Sequence, residues 1–332
     1  MNKSDSERIE TFLQEKLGLK KAKTPEGADL LVFNMCSVRQ SAVDRIWGKI
    51  NWLKKLKKKP KTVLTGCILK EDFEKFKQHF DYILPIKKLP LWKKYLEKEK
   101  FHLWQDNREC PEIEYFKIKP SFSKFSAYIP ISTGCNNFCA YCVVPFTRGK
   151  EIHRDPEEIL NETKEALKSG AKEIWLLGQN VNSYQGRLDG KRIDFADLLT
   201  LINKIEGKFW IRFTSPHPKD FSDKLIKAMK ECDKVTPYLN LPLQSGDDEI
   251  LRKMNRNYTV SEYKALVKKI RKMIPDITLS TDIIVGFPGE KEKHFLNTVK
   301  LFKEIKFDMA YIARYSPRPG TLAYKKYKDD VP

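Results

Sequence analysis

The sequence lacks the features that would place it in a membrane or outside the cell. No apolar run approaches the ~20 residues that a membrane-spanning helix needs, and no signal peptide opens the chain. Seven cysteines in 332 residues are too few for a secreted scaffold held by disulfides. The chain is therefore expected to be a soluble cytoplasmic protein with reduced thiols and no membrane partner.

Two common kinds of catalytic or metal site are missing as well. There is no phosphate-cradling glycine loop, so an ATP-driven mechanism has no support. A structural zinc site usually takes four ligands as two separated pairs, and no second Cys-x-x-Cys or histidine pair completes one. His153 and His217 are interpreted as loop-packing residues, and Cys110 and Cys232 as incidental thiols.

Acidic residues are too few to balance the basic ones. Aspartate and glutamate number 44 against 63 lysines and arginines, which gives a formal net charge of +19. A basic surface favours a polyanionic partner, because each neutralised phosphate releases condensed counterions. Nucleic acid is the first candidate, and a lysine-rich composition with solvated side chains is the alternative.

What the chain does contain is a compact group of three cysteines. Cys135, Cys139 and Cys142 stand at spacings of four and three, directly after a strand-like run at residues 127–131. Three thiolates on one tight loop can hold an iron–sulfur cluster by three of its irons and leave the fourth iron open. The spacing favours a cluster, with a zinc site and inert buried cysteines as the alternatives.

Hydrophobic periodicity predicts an α/β protein with two domains. Residues 1–100 open on an amphipathic helix and continue as a flavodoxin-like parallel α/β domain whose first strand is missing. Residues 101–124 are interpreted as a linker. Residues 125–332 contain six strand–helix repeats, which predict a partial (βα)6 barrel because a closed barrel needs eight. The first long barrel helix is expected to start at Asp155, with Glu158 completing a capping box.

The candidate functional loops follow the predicted strands at their carboxyl ends, where parallel α/β sheets bind ligands. In the first domain Cys36 and Cys67 each stand just past a strand, and the alternative is that each is a small buried turn residue. In the barrel the polar or glycine-containing loops carry Gly178, Gln179, Asn180, Gln244, Val285, Gly286 and Gly289.

These strings resemble a known family. CNNFCAYCVVPFTRG, opening a partial barrel, resembles the radical S-adenosylmethionine (SAM) enzymes. Together with LLGQNVNSY, FTSPHP, LPLQSGDDEILRKMNR and DIIVGFPGE it resembles the methylthiotransferases, in particular the MiaB type that modifies isopentenyladenosine in tRNA. The rival branches act on threonylcarbamoyladenosine in tRNA or on a ribosomal aspartate. A truncated, non-thiolating remnant that binds RNA is the alternative of a different class.

The resemblance implies roles for individual residues. Cys135, Cys139 and Cys142 would hold a 4Fe-4S cluster whose open iron binds SAM, and reductive cleavage would yield a deoxyadenosyl radical. A second, auxiliary cluster, with Cys36 and Cys67 as two of its three ligands, would carry the sulfur inserted at carbon 2 of the adenine next to the anticodon. One SAM would supply the methyl group and another the radical. The implied SAM-binding residues are Tyr141, Gly178, Gln179, Asn180, Gln244, Val285, Gly286 and Gly289.

The resemblance also implies binding partners and implies that family segments are missing at both ends of the chain. Besides tRNA, the partners would be a reductant such as flavodoxin or ferredoxin and a sulfur donor. The family places its third auxiliary ligand in a Gly-Cys-Gln-Met-Asn string, and this chain starts at Met1, so that cysteine is expected upstream. A C-terminal RNA-binding β-barrel is expected to be absent after Pro332. Binding to tRNA by the rest is then expected to be weak and sensitive to salt.

Overall fold

The computed structural model describes residues 1–104, 114–120 and 125–332. The chain divides into two compact units, Met1–Ser121 and Phe122–Pro332. Within the described ranges, no helix is long and apolar enough to cross a membrane. The elements described in the first unit are α1 (Asn2–Leu17), β1 (Leu30–Cys36), α2 (Gln40–Lys55), β2 (Lys61–Cys67), α3 (Lys70–Phe76), β3 (Tyr82–Ile83), α4 (Trp92–Leu96) and β4 (Phe101–His102).

The first unit is built on a parallel sheet in the order β1-β2-β3-β4, with helices on both faces. Successive side chains of a strand point to opposite faces. Val63 and Tyr82 accordingly pack with α1 and α4, whereas Leu64 and Ile83 pack with α2 and α3. The predicted parallel α/β fold of this domain is confirmed.

Two segments of the predicted linker, residues 101–124, contribute to the first unit. Phe101–His102 forms β4 beside β3, and Tyr115 and Phe116 are buried in the core of the unit. The prediction that the whole stretch is a linker is therefore corrected. A two-residue strand is too short to show a period, so the sequence does not reveal it. Cys110 lies outside the described residues.

The second unit alternates strands with helices from its first strand onward. Its described strands are β5 (Ser126–Pro130), β6 (Ser132–Thr133), β7 (Ile152–His153), β8 (Glu173–Leu177), β9 (Gln185–Leu188), β10 (Lys191–Asp194), β11 (Trp210–Phe213), β12 (Tyr238–Asn240), β13 (Thr278–Val285) and β14 (Met309–Arg314). Its described helices are α5 (Val144–Thr147), α6 (Pro156–Lys168), α7 (Phe195–Asn203), α8 (Asp223–Glu231), α9 (Asp248–Lys253), α10 (Val260–Met273), α11 (Glu292–Ile305) and α12 (Leu322–Lys326).

The six main strands form two parallel three-stranded sheets, β11-β8-β5 and β12-β13-β14. A parallel bridge between Ile211 and Val235 connects β11 to the segment that leads into β12. One hydrophobic core runs from Ala127 in β5 to Ile283 in β13 and includes the inner faces of the covering helices. The predicted partial (βα)6 barrel is confirmed.

Two local features differ from the sequence expectations. Asp155 caps α6 by accepting hydrogen bonds from the backbone N–H groups of Glu157 and Glu158, as predicted. Glu158 does not complete a capping box, because its carboxylate lies 3.8 Å from the Arg154 guanidinium instead. The antiparallel hairpin β9–β10 was not predicted.

Candidate functional site

The loop that carries the three cysteines has a tightly constrained backbone. It begins at Gly134, where φ is +78° and a Cβ atom would lie 2.0 Å from the carbonyl oxygen of Lys150. Only glycine fits there. The N–H of Cys135 donates to Gly149 O at 3.3 Å, and the N–H of Cys142 donates to Cys139 O at 2.9 Å. The loop is therefore preformed by its own backbone.

Two distant segments hold this loop from outside. The N–H of Ala140 donates to Met254 O at 2.8 Å, and the N–H of Ala323 donates to Ala140 O at 2.7 Å. Asn255 Nδ2 donates to the carbonyl oxygen of Phe138 at 2.9 Å. These contacts bring the chain after α9, and the start of α12, against the cysteines.

Arg256 is the charged side chain that meets a cysteine directly. It is 7% exposed, and its Nη1 donates to Cys139 Sγ at 3.5 Å. Burial alone would lower the pKa of Arg256, but Tyr141, Tyr258 and Cys139 outweigh burial and raise it above the usual value. The guanidinium therefore stays charged. The sequence shows this arginine only as part of the LRKMNR string, which assigns it no role, and it lies just after the end of α9.

Cys135 and Cys142 are protonated at neutral pH in the absence of a metal centre. Burial is the main cause that raises the pKa of Cys142 to about 12, and the nearby Cys139 contributes to the same shift. Burial also raises the pKa of Cys135. Thiolate is the form that binds a metal, so metal binding by these cysteines releases protons.

The three cysteines are not arranged around a single ion. Within the described ranges, no three His, Cys, Asp or Glu side chains form a group that could hold one metal ion. The ligands of a 4Fe-4S cluster bind separate irons, so their sulfur atoms lie farther apart than ligands that converge on one ion.

The loop after β8 and the neighbouring Ser132 of β6 carry polar oxygen atoms that have no hydrogen-bond partner among the described residues. Ser132 Oγ, Gln179 Oε1 and Asn180 Oδ1 are all buried and unpaired. Asn180 Nδ2 donates to Asp220 Oδ2 at 2.7 Å, which fixes the amide. A Cβ on Gly178 would lie 2.6 Å from Ser132 Oγ, so glycine allows this loop to approach the base of the cysteine loop. Buried oxygens without a partner fit a ligand that carries hydrogen-bond donors.

Tyr141 connects the cysteine loop to the loop after β13. Its side chain packs on the apolar cluster that contains Phe287 and Ile284, and burial raises its pKa. In the second loop Gly286 has φ +70°, with no atom closer than 3.7 Å to a Cβ built on it. Its N–H donates to Glu290 Oε2, which fixes the turn, and the side chains of Val331 and Arg314 lie at van der Waals distance from the Cβ position.

The remaining predicted pocket residues lie on the same rim. Gln244 has φ +73°, and its N–H donates to Asp282 O at 2.8 Å in β13. Val285 ends β13 and accepts from the N–H of Tyr315 at 2.8 Å. The N–H of Gly289 donates to Asp330 Oδ1 at 2.7 Å, so the backbone of this glycine is already paired.

The two histidines are held in structural contacts. His217 Nδ1 accepts from the N–H of Lys219 at 3.3 Å, and its ring packs edge-on against Tyr258. Burial lowers the pKa of His217 to about 2, with help from the positive charge of Arg256. Burial also lowers the pKa of His153. Neither imidazole is charged at neutral pH.

In the first unit Cys36 and Cys67 stand opposite each other at the ends of β1 and β2. Gly66 has φ +101°, and a Cβ there would lie 2.2 Å from Met35 O, so glycine lets the two strand ends come together. Asn2 Nδ2 donates to Met35 O at 2.9 Å, which places the start of α1 at the same end of the sheet.

A cavity of about 400 Å³ lies between α9, α10 and α11. Its lining includes Asp247, Lys264, His294 and Asn297, and none of the predicted site residues. Its lining contains both acidic groups, such as Asp247, and basic groups, such as Lys264, so it has no charge of a single sign.

Comparison with known proteins identifies the family. A model of the radical SAM superfamily matches residues 129–302, and one described as uncharacterized protein family UPF0004 matches residues 1–85. The tRNA-2-methylthio-N(6)-dimethylallyladenosine synthase of Dictyoglomus thermophilum is 47% identical over the whole of this chain and 77% of its own length. The chain belongs to this family of radical SAM synthases. The synthase of Clostridium novyi is 44% identical over all of this chain and 75% of its own.

Solved structures support the fold of this synthase family member. The radical SAM methyltransferase TsrM from Kitasatospora setae has a TM-score of 0.63 at 14% identity, over 94% of this chain and 68% of that one. The cobalamin-dependent radical SAM enzyme OxsB has a TM-score of 0.61 at 13% identity, over 97% of this chain and about half, 52%, of its own. At such identities the likeness concerns the fold alone.

The family's cofactors are SAM and a 4Fe-4S cluster, together with a second, auxiliary cluster. The residues of this synthase fit the first two. Cys135, Cys139 and Cys142 could supply the thiolates that iron prefers, and the unpaired oxygens of Gln179 and Asn180 can accept from an ammonium group such as that of SAM.

Proposed function

We propose that this chain adds a methylthio group to carbon 2 of N6-isopentenyladenosine next to the anticodon of tRNA, with SAM and two iron–sulfur clusters as cofactors. The observation that carries the proposal is the cysteine loop. One of its three thiols, Cys139, accepts from the buried, charged Arg256, and the chain is similar along its whole length to synthases of this name.

Within the proposal, the second unit provides the SAM site. Cys135, Cys139 and Cys142, as thiolates, would hold the 4Fe-4S cluster. SAM bound there would supply the radical chemistry that removes hydrogen from an unactivated carbon. Tyr141 and its apolar neighbours exclude water from that site, which protects reactive species from side reactions. The SAM contacts that we assign are Tyr141, Gly178, Gln179, Asn180, Gln244, Val285, Gly286 and Gly289.

The first unit provides the auxiliary site within the same proposal. Cys36 and Cys67 stand at one end of adjacent parallel strands, which is where open α/β sheets bind ligands. We assign them to the cluster that carries the sulfur. A reductant such as flavodoxin or ferredoxin, a sulfur donor and a cytoplasmic location complete the proposal.

The direct test is the modified-nucleoside content of tRNA. The chain is expressed in a bacterial host whose own methylthiotransferases have been deleted, and digested tRNA is analysed by mass spectrometry. We expect the methylthio derivative of isopentenyladenosine with the unchanged chain and with Cys232→Ala, because Cys232 is a buried thiol in the barrel core. With Cys139→Ala the unmodified isopentenyladenosine should remain.

Two results would contradict the proposal. A methylthio group found only on threonylcarbamoyladenosine would mean that the substrate is wrong. Isopentenyladenosine left unmodified by the unchanged chain, in cells where the protein is present and loaded with iron, would mean that this chain is not a working thiotransferase.

A further inference from the structure

Arg256 is a buried cation that forms no ion pair with a carboxylate in the described part of the chain. Its three donor nitrogens have three different partners: Nε donates to Tyr258 Oη at 2.9 Å, Nη2 to Pro242 O at 3.0 Å, and Nη1 to Cys139 Sγ at 3.5 Å. In the described ranges, no Asp or Glu oxygen lies within ion-pair distance of it. Burying an unpaired charge is costly, so a negative partner is expected beside it.

The position of this guanidinium is fixed by groups other than the cysteine. Tyr258 is itself anchored, since its hydroxyl lies 2.7 Å from Leu243 O. The carbonyl of Pro242 belongs to the segment that leads from β12 to Gln244. The hydrogen bonds of Nε and Nη2 thus orient the guanidinium so that Nη1 faces the sulfur of Cys139. A fixed positive charge therefore lies beside the atom that becomes a thiolate when a metal binds.

The electrostatic consequence concerns electron transfer. A 4Fe-4S cluster held by three cysteine thiolates accepts one electron from the external reductant, and its net charge becomes more negative by one. A fixed positive charge at a ligand sulfur therefore stabilises the reduced form more than the oxidised form. Hydrogen bonds to cluster sulfurs and local charge set the potentials of such centres.

We propose that Arg256 is a positioning residue that raises the reduction potential of the cluster through its contact with Cys139 Sγ. The inference rests on the proposed function in one respect, the assignment of Cys139 as a cluster ligand. The guanidinium changes how readily the external reductant can supply the single electron, and it takes no part in bond making or breaking.

The test is a redox titration of the full chain followed by electron paramagnetic resonance. It is carried out in a Cys36→Ala, Cys67→Ala background so that only the barrel cluster contributes. With Arg256→Met, the ratio of reduced to oxidised cluster at one applied potential should fall at least tenfold, which for one electron corresponds to a shift of about 59 mV to lower potential. Arg256→Gln keeps a planar donor group without charge and should give a fall in the same direction.

The matched control is Arg271→Met. Arg271 donates to backbone carbonyls at the end of α11, so the same substitution there should leave the reduced fraction unchanged. If the cluster of Arg256→Met has the same reduction potential as that of the unchanged chain, the inference is overturned. Should Arg256→Met not fold, the same result with Arg256→Gln overturns it. A background chain that holds no iron would instead overturn the proposed cluster site, and the inference with it.

Discussion

Asn255 donates a hydrogen bond from Nδ2 to the carbonyl oxygen of Phe138 at 2.9 Å. Both residues adopt left-handed backbone conformations, with φ of 55° and 49°. Such a conformation costs a non-glycine residue roughly 1–2 kcal/mol, and asparagine tolerates it best. The contact offsets part of this strain at the turn between Cys135 and Cys139, and it holds the 52% exposed Phe138 in place.

Replacing Asn255 by alanine should loosen the cysteine loop. The change removes the hydrogen bonds to Asn137 O and Phe138 O and places a less tolerant residue at positive φ. We expect the free energy of unfolding to fall by about 1–3 kcal/mol, with less iron bound after reconstitution. Thermal or denaturant unfolding and iron analysis measure both.

The control for this prediction is Asn255→Gly, which relieves the backbone strain but also lacks the amide. Its free energy of unfolding should be higher than that of Asn255→Ala, but the hydrogen bonds to Asn137 O and Phe138 O should still be absent. If Asn255→Ala has the same free energy of unfolding and binds as much iron as the unchanged chain, this contact does not hold the loop.

Gly134→Ala should be far more damaging than an ordinary glycine substitution. The new Cβ would lie 2.0 Å from Lys150 O, whereas a Cβ on Gly190, which has a similar φ of +74°, meets no atom within 4 Å. Gly190→Ala should therefore cost roughly 1–2 kcal/mol from backbone strain alone, and Gly134→Ala roughly 3 kcal/mol or more. Equal losses of unfolding free energy in the two variants would mean that the close approach at Gly134 is unimportant.

The cysteine loop was predictable because its signal is local. Three thiols at short spacing after a strand-like run indicate their chemistry without knowledge of the fold. The contact between Arg256 and Cys139 was not predictable, since it joins positions 117 residues apart. Only folding of the barrel brings them together.

The same distinction applies to the fold. The strand-like run at residues 127–131 lies within one residue of β5 (Ser126–Pro130), because the apolar pattern of that strand is local. The β9–β10 hairpin had a usable signal, Asp189–Gly190, which both adopt positive φ as a tight hairpin turn requires. Half of its strand residues are exposed and most are polar or charged, so hydrophobic periodicity gave no strand signal there and the turn signal went unused.

The cap of α9 should give a pH-dependent contribution to stability. Burial raises the pKa of Asp247, but the hydrogen bond from Asn297 and those from the N–H groups of Ile250 and Glu249 outweigh burial, so the folded-state pKa lies below the ordinary 3.8. The folded state thus binds this proton more weakly than the unfolded state. The contribution is fully present above the ordinary value and is lost as pH falls through the lower folded-state value.

Two variants at this position check that sign. Asp247→Ala should lose about 0.5–2 kcal/mol of unfolding free energy at neutral pH, as for other N-caps. Asp247→Asn keeps a hydrogen-bond acceptor and lacks the charge, so its loss of unfolding free energy relative to the unchanged chain should be largest near neutral pH and smaller in acid. A loss that increases on acidification would contradict the lowered folded-state pKa of Asp247.

Cys67→Ala should separate the two clusters. The variant should lose the iron of the first unit, a fall from about eight irons per chain to about four, and should still cleave SAM. The expected chemical result is loss of methylthiolated tRNA without loss of deoxyadenosine formation. Iron analysis and product chromatography on the same sample measure both. An unchanged iron count would contradict the assignment of Cys67.

The central claim is that Cys135, Cys139 and Cys142 together form the SAM-cleaving centre. The measurement that tests it most directly is formation of 5′-deoxyadenosine from SAM by the anaerobically reconstituted, reduced chain, compared with three single alanine variants and with Cys232→Ala. The account predicts product from the unchanged chain and from Cys232→Ala, and none from any of the three. Undiminished 5′-deoxyadenosine from Cys135→Ala, Cys139→Ala or Cys142→Ala would contradict it.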